Sequence, residues 1–216
     1  MSYSYQMRSV KVLLLGDEGT GKHDISGTLT VMGKSVNMKV LTCSRLPLPD
    51  DCGYSMEDIE FICFTMCTSS AESMEVMINN LAKVNVSFFL GKSAIVANTK
   101  DYDIDDDDDV CTQLNDLSSK CNTQLLYANT EDQNELLELC RKLYRKIECV
   151  VGMKSNIHPL LFDCVEMSNP VSDTTMMNTA AGLKLDKKIL EESRLAVSML
   201  RNGHEISENM NHENMT

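Results

Sequence analysis

Basic residues are scarce in this chain of 216 residues: 20 lysines and arginines stand against 32 aspartates and glutamates, a net charge of −12. A general nucleic-acid binder needs cations to neutralise phosphates, so the balance argues against that class. The acidic balance otherwise speaks to solubility rather than fold. Nine cysteines occur, at positions 43, 52, 63, 67, 111, 121, 140, 149 and 164, yet no two form a C-x-x-C pair. A zinc site therefore has little support. Cys63, Cys67 and Cys140 fall inside apolar runs, where a free thiol packs as a small hydrophobe. No apolar run approaches the roughly 20 residues that a membrane span needs. None precedes Val10, so no signal peptide is read there. The expectation is an intracellular protein with reduced thiols. No internal repeat of useful length is present either, so no solenoid is expected.

What is present suits one α/β domain followed by a tail. Hydrophobic residues make up 43% of the chain, enough for a substantial core. Val10 to Leu15 is a near-continuous apolar run, as in a strand covered on both faces. Ile25, Leu29 and Met32 then recur at helical spacing, and Gly33 is a plausible stop. Residues 36–43 alternate as a second strand, and Pro47 and Pro49 break regular structure after it. Residues 59–67 predict a third strand. Ser69 or Ser70 caps a helix with Met74, Met77, Ile78 and Leu81 as its apolar face. An apolar connection, Val84 to Gly91, leads to a strand over 93–97.

The acidic run 105–109 reads as an exposed loop or helix start, with a divalent-metal site as the alternative. A short helix over 110–121 turns Leu114 and Leu117 inward, and a last strand covers 124–128. Thr130 and Gln133 have the spacing of a capping box. The helix they open places Leu136, Cys140, Leu143, Ile147 and Val150 on one face and stops at Gly152. Alternating strands and helices predict a mostly parallel sheet of about five strands with helices on both faces. The expected divisions are a domain over 1–152, an extension over 153–201 with an amphipathic helix at 186–201, and a disordered tail over 202–216.

The turn after the first strand is Gly16-Asp17-Glu18-Gly19-Thr20-Gly21-Lys22-His23. It matches the phosphate-binding pattern G-x-x-x-x-G-K-[ST] at every fixed position but the last. Such a loop aims backbone N–H groups and a lysine ammonium at phosphates, above a helix N-terminus. Gly16, Gly21 and Lys22 could do this. The magnesium ligand is missing, because that role needs a small neutral hydroxyl beside the lysine. The imidazole of His23 is larger and prefers softer metals.

The companion motifs are weaker. Asp50-Asp51-Cys52-Gly53 fits D-x-x-G as text, but it follows two prolines rather than a strand end. Asn98-Thr99-Lys100-Asp101 resembles N-K-x-D with its lysine moved by one. Asp101 could accept from the N–H donors of a guanine; a plain strand-to-loop turn is the other reading. No residue is placed to position water. Gly16, Gly21, Lys22, Asn98 and Asp101 are thus vestigial nucleotide-binding candidates, with no catalytic residue, metal ligand or cofactor assigned.

The order of elements resembles a P-loop small-G-protein-like three-layer sandwich. Three segments go further: Ser44-Arg45-Leu46-Pro47-Leu48-Pro49, Val84-Asn85-Val86-Ser87-Phe88-Phe89-Leu90-Gly91-Lys92, and Leu125-Leu126-Tyr127 through Glu131. They resemble the centromere protein M family, across roughly residues 10–165. That resemblance implies a pseudo-GTPase of the inner kinetochore in the nucleus, with no enzymatic activity. It also implies a structural role in the constitutive centromere-associated network beside centromere proteins I, H and K. The nearly intact phosphate loop departs from the family pattern and keeps a GTP-binding small G protein with weak or no hydrolysis as the alternative. Phe88, Phe89 and Leu90 are candidate partner anchors, since aromatic residues are enriched in interface cores. Burial of that connection against the sheet is the competing reading.

Overall fold

The computed structural model describes residues 9–100 and 108–153. Asp101, the acidic residues 105–107, the helix expected over 186–201 and the tail over 202–216 lie outside them.

Five strands form the sheet: β1 (Val10–Leu15), β2 (Met38–Cys43), β3 (Phe61–Cys67), β4 (Ser93–Asn98) and β5 (Gln124–Ala128). They lie in the order β2-β1-β3-β4-β5. All four pairings are parallel. The sequence explains why. Parallel strands are covered on both faces and tolerate continuous apolar runs. Every residue of β4 is buried, and so is all of β3 except its last.

Four helices supply the cover: α1 (Lys22–Met32), α2 (Ala71–Leu81), α3 (Asp108–Cys121) and α4 (Gln133–Val150). Alternate residues of β1 point to opposite sides. Val10, Val12 and Leu14 meet Ile25 and Leu29 of α1 and Cys140, Leu143 and Ile147 of α4. Leu13 and Leu15 face Met77 and Leu81 of α2 and Leu114 of α3. The result is a three-layer α/β/α sandwich. Each fully buried Leu or Ile contributes about 1.5–3 kcal/mol.

The β2-to-β3 crossover contains no α-helix. Two 3-10 turns, Asp50–Cys52 and Met56–Asp58, punctuate an irregular strap. α2 stitches the strap to the domain. The Asn80 amide donates to the Ser44 carbonyl at 2.9 Å and accepts from the Leu46 N–H at 2.9 Å. Lys83 Nζ donates to the Leu46 carbonyl at 2.8 Å.

This stitching corrects the expected apolar face of α2. Met77 and Leu81 are buried, but Ile78 is 45% exposed, and the polar Ser73 and Asn80 take buried places. They go inward because their side chains satisfy backbone groups: Ser73 Oγ accepts from the Cys67 N–H at 2.9 Å.

The start of α4 is a second correction. Its N-cap is Asp132, whose carboxylate accepts from the N–H groups of Asn134 and Glu135. Thr130 is buried in the preceding loop instead, where its N–H donates to Asn98 Oδ1 at 3.2 Å. The far end follows expectation. Gly152 is left-handed (φ 74), its N–H donates to Cys149 O, and the Met153 N–H donates to Glu148 O, which together close a Schellman motif.

A third correction concerns the apolar connection. A 3-10 turn, Val86–Phe89, folds Phe88 inward, so it is 7% exposed and belongs to the α2-side core. Phe89 packs partly against the same core. Phe88 is therefore not an exposed anchor; Leu90, 58% exposed, and Val86, 76% exposed, carry the surface apolar area.

The cysteines divide by burial. Burial pushes the Cys63 thiol up to about 12, and it raises that of Cys140 as well. Cys43, Cys52 and Cys67 are half-buried. Because the thiolate is the reactive species, an aromatic disulfide reagent at neutral pH should label these three promptly in the native protein. Cys63 and Cys140 should react only at the rate of unfolding, as peptide mapping of timed samples will check.

Candidate functional site

The loop between β1 and α1 is drawn tightly against β3. A Cβ on Gly16 would lie 2.1 Å from Thr65 Oγ1 and 2.2 Å from Thr65 O. Only glycine permits that approach. Thr20 Oγ1 donates to Asp17 O at 2.8 Å and shares a hydrogen bond with Thr65 Oγ1 at 2.9 Å. Gly21 is left-handed, and a Cβ there would meet the Thr130 side chain at 2.4 Å. Its carbonyl accepts the first α1 bond, from the Ile25 N–H at 3.0 Å. Gly16 and Gly21 thus have packing reasons to be where they are, independent of any phosphate.

Lys22 is folded back over this loop and is only 4% exposed. Its ammonium donates to Gly16 O at 2.8 Å and to Ser44 Oγ at 2.8 Å. Burial lowers its pKa from the ordinary lysine value, while the nearby Asp17 carboxylate works in the opposite direction. Lys22 thus spends two of its three N–H donors within its own chain.

Ser44 is the residue that motif reading missed. It directly follows β2, the neighbour of β1 in the sheet. A magnesium-dependent nucleotide site takes one ligand from the loop's Ser or Thr and a second from an aspartate on a nearby strand. Here the first place holds His23, exposed at the start of α1, and a hydroxyl stands just beyond β2. Among the described residues no group of three or more His, Cys, Asp or Glu side chains could hold a metal. Asp50-Asp51-Cys52-Gly53 lies in the strap, on a 3-10 turn after Pro49, and not at a strand end. Only the place of Ser44 after the strand marks it, since serine alone carries no motif.

Asn98, the last residue of β4, is 1% exposed. Its Oδ1 accepts from the N–H groups of Lys100 and Thr130, each at 3.2 Å, and its Nδ2 donates to Gly19 O at 3.4 Å. It fastens the phosphate loop to the β5–α4 loop, with its amide committed to backbone. Lys100 forms an ion pair with Glu131 on the rim. Of the expected nucleotide-binding residues, Gly16, Gly21, Lys22 and Asn98 converge at one end of the sheet. The fifth, Asp101, is outside the described residues.

Fold and loop together define an α/β protein with a phosphate-loop-type turn after β1, in which His23 stands at the motif's hydroxyl position and Ser44 bonds the loop lysine. The family model described as Centromere protein M (CENP-M) matches residues 6–169. That is most of the chain, and the chain belongs to the centromere protein M family. Centromere protein M of Xenopus laevis is 24% identical over 91 residues, covering 42% of this chain and 51% of that protein. The chain thus spans about half the length of the curated relative it matches. Among solved structures, the one titled "Structure and function of the FeoB G-domain from Methanococcus jannaschii" superposes with a TM-score of 0.39 at 10% identity, covering 65% of this chain and 99% of that one.

Proposed function

We propose that this centromere-family protein is a non-catalytic structural subunit of the inner kinetochore. In this reading it works in the nucleus, in the constitutive centromere-associated network, and scaffolds assembly with centromere proteins I, H and K for chromosome segregation. The observation that carries the non-catalytic part is the internal commitment of Lys22 to Gly16 O and Ser44 Oγ. His23 at the hydroxyl position supports it from the metal side. Membership of the centromere protein M family supports the centromere part.

The competing reading is a GTP-binding protein with weak or no hydrolysis. It is favoured by the loop itself, whose position at the start of α1 suits an anion. Titration of the full chain with labelled GTP and GDP, with and without magnesium, separates the two. The structural reading expects no magnesium-dependent binding at micromolar nucleotide. Such binding, abolished by Lys22→Ala, would sink it. Co-purification with centromere proteins H, I and K tests the assembly role, and failure with all partners folded would count against it.

His23→Ser makes a sharper prediction. It restores the loop hydroxyl, yet no GTP turnover above background should appear in a phosphate-release assay, because the companion motifs are still missing: Asp50-Asp51-Cys52-Gly53 sits on a 3-10 turn and not at a strand end. Measured turnover in that variant would show that the missing hydroxyl alone silenced the loop.

A further inference from the structure

A second concave site lies at the opposite end of the sheet from the phosphate loop. The loop follows the C-terminal end of β1, whereas Ile59 and Lys92 closely precede the N-terminal ends of β3 and β4. In an all-parallel sheet these are opposite edges. The groove has a volume of about 360 Å³. Its floor is Met56, Ile59 and Phe88, and its polar rim is Glu57, Asn85, Ser87, Lys83 and Lys92. Val86 and Leu90, the two most exposed large apolar side chains among the described residues, stand at the start and just past the end of the Val86–Phe89 3-10 turn.

Both walls are held in place before anything binds. Asn85 Oδ1 accepts from the Ser87 N–H at 2.9 Å, and Ser93 Oγ donates to the Phe88 carbonyl at 3.1 Å. The opposite wall is a 3-10 turn closed by a Ser55–Asp58 capping box, and Lys11 pairs with Asp58 at 3.2 Å. Preordered walls reduce the ordering cost of association.

Charge selects the occupant. The chain carries −12 overall, yet two lysines face one glutamate on this rim. The Lys92 ammonium makes no ion pair among the described residues. An apolar floor with exposed Val86 and Leu90 beside it asks for an apolar anchor, and the lysines ask for carboxylates flanking that anchor.

We infer that this groove docks an acidic segment of a protein partner, one that inserts an apolar side chain over Phe88 and Ile59 and sets carboxylates against Lys83 and Lys92. The surface is argued from the groove alone; naming the partner rests on the structural-subunit reading above.

The test uses the full chain and the purified assembly of centromere proteins H, I and K. Leu90→Asp and Lys92→Glu alter exposed side chains, so thermal melting should stay unchanged. Their combination should weaken association at least tenfold, and Lys92→Glu alone should flatten its salt dependence. Unchanged affinity while the wild type binds would overturn the groove and leave the subunit reading standing.

A photo-crosslinker at position 90 identifies the occupant. A crosslink to an acidic segment of a partner supports the inference. An intramolecular crosslink to residues 154–216, or one to a basic segment, overturns it. If the wild type does not associate at all, the subunit reading fails. The groove is then tested directly with a synthetic amphipathic helix bearing glutamates beside leucines, against its glutamine counterpart. NMR shifts at Phe88 and Lys92 with the glutamate peptide only would keep the inference, and no shifts with either would end it.

Discussion

Replacing Gly16 by alanine is expected to lower the unfolding free energy by about 3 kcal/mol, near the top of the range for overpacking. The added methyl would sit 2.1 Å from Thr65 Oγ1 and 2.2 Å from Thr65 O. The hydroxyl could rotate away, but only by giving up its hydrogen bonds to Thr20 and Leu15. The carbonyl belongs to a central strand and cannot move alone. Gly19→Ala is the comparison: Gly19 is left-handed (φ 75), but a Cβ there meets nothing within 4 Å. It should cost only the backbone strain of about 1 kcal/mol. Urea unfolding of both variants decides the matter, with a midpoint shift at constant slope as the signature. If Gly16→Ala costs no more than Gly19→Ala, the loop is not pressed against β3 as described.

Asn98→Ala should cost about 2–3 kcal/mol. Three hydrogen bonds vanish, and one of them leaves the buried N–H of Thr130 without its Asn98 acceptor. An orphaned buried donor costs about 1–3 kcal/mol. The cost should be the same with and without GTP in the buffer. A residue that reads a guanine would behave otherwise, because nucleotide would then stabilise the wild type over the variant by mass action. A wild-type melting temperature that rises with GTP while that of Asn98→Ala does not would show base recognition.

Much of the sheet was legible because continuous apolar runs have few other uses. β1 and β5 have the predicted bounds, and β2 and β3 differ by two residues at their starts. Asn37, left-handed at φ 53, ends the turn before β2 and so delays it. Helix faces were harder to read. On α2 the period alone cannot tell that Asn80 goes inward and Ile78 outward, since the deciding contacts are to a strap more than thirty residues away. For α4, Thr130-x-x-Gln133 and Asp132-x-x-Glu135 are equally good as text. Thr130 was already engaged against Gly21, and Glu135 bonds the Asn129 N–H instead.

The candidate site shows the same boundary. Gly16, Gly21 and Lys22 could be read because a phosphate loop has fixed spacing. What Lys22 touches could not, because Ser44 reaches it through the pairing of β1 with β2. Phe88 read as a candidate anchor because aromatic residues are enriched in interface cores. A 3-10 turn, with three residues per turn, decided that it faces the core while Val86 and Leu90 do not.

The all-parallel pairing also has a consequence for how this chain reaches its structure. No two strands can form a hairpin. Val10 pairs with Met38, and Val12 with Phe61, so β1 has no sheet partner until a long stretch of following chain is available. Each ladder must close a loop before it gains anything, which places such topologies among the slower folders. During synthesis, at about 5–20 residues per second, the apolar Val10–Leu15 segment leaves the ribosome several seconds before Phe61–Cys67 can cover its second edge. The nascent chain thus carries an unpaired strand edge through that interval, the stage at which such segments are most exposed to wrong pairing.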